Sequence, residues 1–221
     1  MIVRRWFPAL GLLGLLGCAA RTPGAQPHEA SVAQHELNAA TEERAEGAHF
    51  ASDDARAAEF HRKRAAEHRA ASQALRDAEA RACVGIAESD RDRSPFDHRE
   101  NVASVEPLYV MDRGAVDVSG SGPAQPPRGT RHLAGAVVML RAAPGMTAEW
   151  LQRVVDCHLA RNAALGHEVP EMPYCPLVPN GAEATVTPAR GGFAVTIQSD
   201  VPASAEEVLR RSRGLLAAPL P

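Results

Sequence analysis

Five residues whose side chains can bind soft metals fall within one stretch of the chain: Cys157, His158, His167, Met172 and Cys175. Thiolate, thioether and imidazole together suit copper(I) or zinc(II), so a Cu or Zn site is one reading of this stretch. Its spacing is not that of paired Cys-x-x-Cys zinc ligands, nor is Cys157-His158 the Cys-x-x-Cys-His sequence that attaches haem. The competing reading is covalent. Three cysteines follow Cys18, and joining Cys157 to Cys175 would leave Cys83 over. Closing a loop of that size stabilises a fold by roughly 3 kcal/mol. At about 100° per residue on a helix, Trp150, Leu151, Val154, Val155 and Leu165 cluster around a direction that His158 bisects. His158 is therefore expected in the core, satisfied by a backbone carbonyl or by Asn162, with Cys157 on the flank of the same face.

A second pattern is a histidine stripe. His28 and His35 are seven apart, His49 follows two such intervals after His35 with Glu42 between, and His61 and His68 repeat the interval. Seven residues of helix rise about 10.5 Å, too far for neighbours on one stripe to share an ion. Only a second helix alongside could complete a weak metal buffer or a pH-responsive helix pair. Signatures of catalysis are missing: the chain has no Gly-x-Ser-x-Gly elbow and no His-Glu-x-x-His. The glycines at 114, 120 and 122 do not sit between a clear strand and a helix, so no phosphate loop is expected. No catalytic residue is assigned, and no cofactor beyond that possible Cu or Zn.

The elements that must position these residues are legible from composition. Residues 51–82 hold twelve alanines, seven Lys or Arg and six Asp or Glu without a Gly or Pro, which predicts helix by summed propensity. Ser52, Asp53 and Asp54 supply the cap and first-turn acids. An earlier helix is expected over 28–46, stopping near Gly47. Phe60 and Leu75 are the only large hydrophobes between 51 and 82, so these helices form a hairpin or stalk joined by a thin alanine seam. After a charged loop, 102–111 reads as a strand carrying Pro107, followed by a Gly/Pro-rich linker. A buried strand over 133–140, a helix from the Thr147 cap to Gly166, a hairpin around Gly191-Gly192 and a helix capped at Ser204 complete the pattern. The expected class is α+β: Ala-rich N-terminal helices, then a small two-layer α/β sandwich, ferredoxin-like if 102–111 joins the sheet. The boundaries that follow are 18–27 for a flexible tether, 28–87 for the helical region, 88–131 for loop, strand and linker, and 132–217 for the α+β domain.

The net charge of −3 provides no positive field for nucleic acid. The first residues are more specific. Arg4 and Arg5 precede a short apolar stretch, Trp6 to Gly17, which falls short of the roughly 20 residues of a spanning helix. Leu15-Leu16-Gly17-Cys18 resembles the lipobox of bacterial lipoproteins. That resemblance implies a signal peptide over 1–17, lipidation of Cys18, and acylation (palmitate or a similar chain) of the new amino terminus. Ala19 rather than Asp after the cysteine points, by the same resemblance, to the outer membrane, facing the periplasm or the exterior. Over 66–110 and 133–216 the chain also resembles bacterial lipoproteins with no assigned activity, which lend no site residues. The expected role is a lipid-anchored envelope protein, a non-enzymatic binding or structural module whose partners are the membrane and an envelope protein. A metal-binding or metal-sensing lipoprotein and, more remotely, a hydrolase are the alternatives.

Overall fold

A computed structural model describes residues 30–111 and 129–216. Two long helices open it, α1 (Val32–Ala51) and α2 (Ala55–Ala82). Ser31 caps α1 by accepting from the Gln34 N–H, and Asp54 caps α2 by accepting from the Ala57 N–H. The break expected at Gly47 falls instead at Ser52–Asp54, where Asp53 takes φ 61°. An exposed helical glycine costs only about 1 kcal/mol, too little to stop a helix lying along a partner. The seam is thin, as the composition predicted: Ala39, Ala58, Ala65 and Ser72 are its buried small residues. Phe60 lies 58% exposed and adds nothing to it. Polar rungs cross the seam instead, Glu36 to Arg76, Glu43 to Arg69, and Glu42 to both His61 and Arg64.

The remainder is α+β. A short helix, α3 (Glu88–Asp92), leads into the strands β1 (Val102–Met111) and β2 (Arg131–Arg141). Then come α4 (Ala148–Ala164), β3 (Glu183–Ala189), β4 (Gly192–Gln198) and α5 (Pro202–Gly214). The four strands form one antiparallel sheet in the order β1-β2-β4-β3. Strand β4 is thus inserted between β2 and β3, which α4 connects, and this is the split β-α-β arrangement of ferredoxin-like folds. The fourth place, beside β2, is taken by β1, which enters from the front of the chain. Pro107 is tolerated because β1 is an edge strand.

One face of the sheet buries Val138, Leu140, Val195 and Ile197 against Leu151 and Val155 of α4 and Val208 of α5. Phe96, fully buried, joins that core from the charged loop. With Phe96 and β1 in it, the sheet module begins well before the expected boundary at 132. Helix α5 starts at Pro202 with Val201 as its cap and no side-chain cap bond, so the expected capping box at Ser204 is not formed. Proline, with no N–H to leave unsatisfied, is suited to the first turn. Glu207 turns instead to Arg210 and Arg211, and these two guanidiniums hold its carboxyl down at about 2.

Two outcomes follow from this packing. Gly135 has φ +150°, and a Cβ there would lie 2.1 Å from the Ile197 carbonyl oxygen. Gly135→Ala is expected to cost more than about 2 kcal/mol, read as a lowered urea midpoint. Glu207 contributes stability above its unfolded pKa near 4.5 and loses it as pH falls toward 2. The midpoints of wild type and Glu207→Gln, separated at neutral pH, should therefore converge in acid.

Candidate functional site

The structure does not gather the candidate ligands of the 157–175 stretch into one group. Helix α4, capped by the Thr147 hydroxyl on the Trp150 N–H, carries Cys157 and His158 on successive positions about 100° apart. Cys157 faces α2 and forms a disulfide with Cys83, whose Cα lies 4.6 Å away. This corrects the expected Cys157–Cys175 pair. The cause is topological: the C-terminal end of α2 packs beside α4 and brings Cys83 to bonding distance. The stretch 169–178 dips instead into the sheet core with Cys175 in it. A disulfide sulfur is no thiolate, so Cys157 is also removed from the possible metal ligands.

Cys175 is the free thiol. It is fully buried and takes a hydrogen bond from the Ser94 hydroxyl at 3.3 Å. Burial pushes its pKa up, so it stays a protonated thiol. Met172, 3% exposed, packs in the same core. His158 is buried as the helical wheel predicted, with Nε2–H donating to the Asp90 carbonyl at 2.9 Å. Burial lowers its pKa and keeps it neutral. Asn162 donates to the Leu177 carbonyl, and the Nδ1–H of His167 to the Val178 carbonyl at 2.8 Å. His158, Asn162 and His167 thus fasten the loops on either side of α4 to the helix and its C-terminal turn. Among the described residues no group of three or more His, Cys, Asp or Glu could hold a metal ion.

The histidine stripe is brought together by the α1–α2 hairpin. His35 meets His68 with Nδ1···Nδ1 at 3.1 Å. His49 stacks on His61 at 5.2 Å between centroids, and His61 Nδ1 lies 2.6 Å from a Glu42 oxygen. The seven-residue spacing gave the stripe, but the pairing across helices depends on where the turn falls. His28 and Cys18 lie outside the described residues.

A further hollow of about 150 Å³ lies between the α3 loop and α4, with Arg93, Asp97 and Asn101 at its polar side and Met146, Trp150 and Val154 at its apolar side. That is the volume of a cavity holding one small ring. Sequence spacing did not single it out, since its walls come from three separate segments. Beside it, Asp97 accepts from the Tyr174 hydroxyl, and Arg99 lies 4.9 Å from the centre of the Tyr174 ring. The chain matches no protein-family model, no curated protein and no solved structure.

The covalent link carries a direct test. Peptide mapping without reduction should find Cys83 and Cys157 in one linked fragment, with Cys175 alkylated only after unfolding. In the chain-entropy account, a loop of 74 residues closed by a bond is worth about 4 kcal/mol. The double variant Cys83→Ser, Cys157→Ser should lose a stability of that order in urea. A Cys157–Cys175 fragment would refute the assignment.

Proposed function

We propose that the chain is a lipid-anchored protein of the bacterial cell envelope, a non-enzymatic module tethered through Cys18. In this reading the α1–α2 hairpin is an arm between membrane and module, and the split β-α-β body is the part that engages an envelope partner. The observation that carries it is the Cys83–Cys157 bond, which joins two buried residues and staples the arm to the body. Structural disulfides form and persist in oxidising compartments and are rare where thiols are kept reduced. Export is what the lipobox-like Leu15-Leu16-Gly17-Cys18 implies from the sequence. The two features are independent, one a motif and the other a contact between distant helices. Among the described residues no helix is long and apolar enough to cross a membrane. Several acyl chains, at about 0.8 kcal/mol per buried methylene, would suffice for the anchor. His158, His167 and Cys175 each make a hydrogen bond that ties a loop to the body, which supports a structural use of these side chains.

Metabolic labelling with a fatty acid is expected to mark the wild-type chain and fail in Cys18→Ala, with the label recovered in the membrane fraction. Equal labelling of both would overturn the anchor. Elemental analysis of the same preparation discriminates the role: stoichiometric copper or zinc that survives a mild chelator would replace the structural module by a metal-binding one.

A further inference from the structure

The base of the hairpin carries a half-buried contact that the envelope reading does not use. His35, 2% exposed, and His68 face each other across the α1–α2 seam with Nδ1···Nδ1 at 3.1 Å. Their ring centroids stand 5.4 Å apart, which is the nitrogen gap plus one ring radius at each end. The two nitrogens therefore point straight at one another. A head-on contact of this length is a hydrogen bond, and it needs one N–H and one lone pair. An ion on the line between them would need a gap of about 4 Å, twice the usual metal–nitrogen distance. The head-on contact as placed is one that shares a proton.

That arithmetic limits how much charge the contact can carry. With both rings neutral, one donates through Nδ1–H and the other accepts. One further proton can be held by the donor's far nitrogen while the bond survives. A second puts an N–H on each facing nitrogen, turning the contact into a clash of two cations in a half-buried seam. We propose that this pair is a proton-operated latch: acidification that charges both His35 and His68 parts α1 from α2 at the hairpin base, while the tip stays closed.

The charged groups around the pair favour opening. On α2, Arg64 adds repulsion for a charged His68, against weaker attraction from Glu42 of α1 and Glu67 of α2. The nearby carboxylates of α1 are already engaged, Glu36 with Arg76, Glu43 with Arg69, and Glu42 with Arg64 and His61. In the turn after α4, Gly166 lies against Ser31, and the adjacent His167 is held on Val178. Burial, then His35, then Arg64 lower the pKa of His68 below its ordinary value. A histidine lowered in the folded state lends stability above its unfolded pKa and withdraws it as pH falls below that value.

The tip behaves in the opposite sense. A proton on His61 strengthens its bond to Glu42, whose own pKa is lowered chiefly by that contact. At the tip the strengthened Glu42–His61 bond works against the repulsion of a charged His49 stacked on His61, whereas at the base the group facing His68 is a second histidine. The latch rests on the envelope reading only for its setting, an external face where pH varies. The device itself can be read on the purified chain.

Hydrogen exchange on the full chain, corrected for intrinsic rates, tests it. Between about pH 7.5 and about pH 5.5, the range in which histidine titrates, protection over 32–41 and 66–76 should fall at least ~10-fold relative to 45–62. The variant His68→Asn should abolish that differential fall, and His61→Asn should leave it. An equal fall in wild type and His68→Asn overturns the latch. Should the Asn variants not fold, imidazole NMR of the wild type decides alone. If His35 and His68 are both fully protonated while the base of α1 remains protected, the proposal is wrong. Because the readout needs no lipid and no compartment, failed acylation of Cys18 would sink the envelope reading and leave this one standing.

Discussion

The arrangement of the molecule depends on one covalent contact, the Cys83–Cys157 bond. A hairpin whose seam is alanine, serine and crossed ion pairs buries little apolar surface, and exposed ion pairs contribute only about 0–1 kcal/mol each. Such a pair of helices is marginal by itself. Its attachment to the sheet body cannot rest on a broad hydrophobic face either, because the small cluster there is Cys83, Ile86, Val154 and Cys157. The disulfide removes the entropy of separating these parts. Arginines then settle the carbonyls left open at the end of α2. Arg91 donates to the Cys83 and Ile86 carbonyls, and Arg153 donates from α4 to that of Val84. Bond, cluster and carbonyl contacts together make a compact joint where apolar area alone would not.

Helix α4 is the element that makes this joint possible, because it is used on several sides. Leu151 and Val155 enter the sheet core, Val154 and Cys157 meet α2, and His158 reaches the α3 loop. A helix turns about 100° per residue, so adjacent positions necessarily serve different neighbours. This explains why the Cys157-His158 pair, suggestive as a ligand couple, is divided in space between two structural tasks. It also explains why a histidine is tolerated in full burial. Its Nε2–H has a carbonyl to donate to, and the neutral ring avoids the cost of an interior charge, although Nδ1 is buried without a hydrogen-bond partner among the described residues.

Much of the sheet module was legible from local chemistry. Thr147 followed by an amphipathic run defines the start of α4, and Gly166 at φ 69° ends its turn as a C-terminal glycine does. Gly191-Gly192 between alternating segments defines the β3–β4 hairpin. The alanine-rich composition gave the helices and their thin seam. What stayed hidden is non-local. Cys83 finds Cys157 because α2 is long enough to return from the turn at Asp53 to α4, a geometric consequence that no spacing rule contains. The histidine stripe was visible as a stripe on each helix. Its partners, however, are fixed by the turn position, which was expected near Gly47 and lies at Ser52–Asp54. Even the start of α5 turned on competition, since Pro202 outbid Ser204 for the first turn while Glu207 had stronger partners in Arg210 and Arg211.

The two helices of the hairpin are consequently fastened by different chemistry, and the difference has a direction. Helix α2 ends in a covalent bond to the body, which pH does not touch. Helix α1 has no such bond among the described residues; its start is held by packing of Ser31 on Gly166, by the Glu36–Arg76 pair and by the His35–His68 contact. Of these, only the histidine contact changes its charge between pH 5 and 8. An apolar seam in place of this polar one would be tighter and indifferent to protons. The alanine seam leaves enough of the binding free energy in polar contacts that a single half-buried pair can decide whether the start of α1 lies on the body. The sheet core of Val138, Val195, Ile197 and Leu177 is apolar and holds its shape by packing rather than by charge.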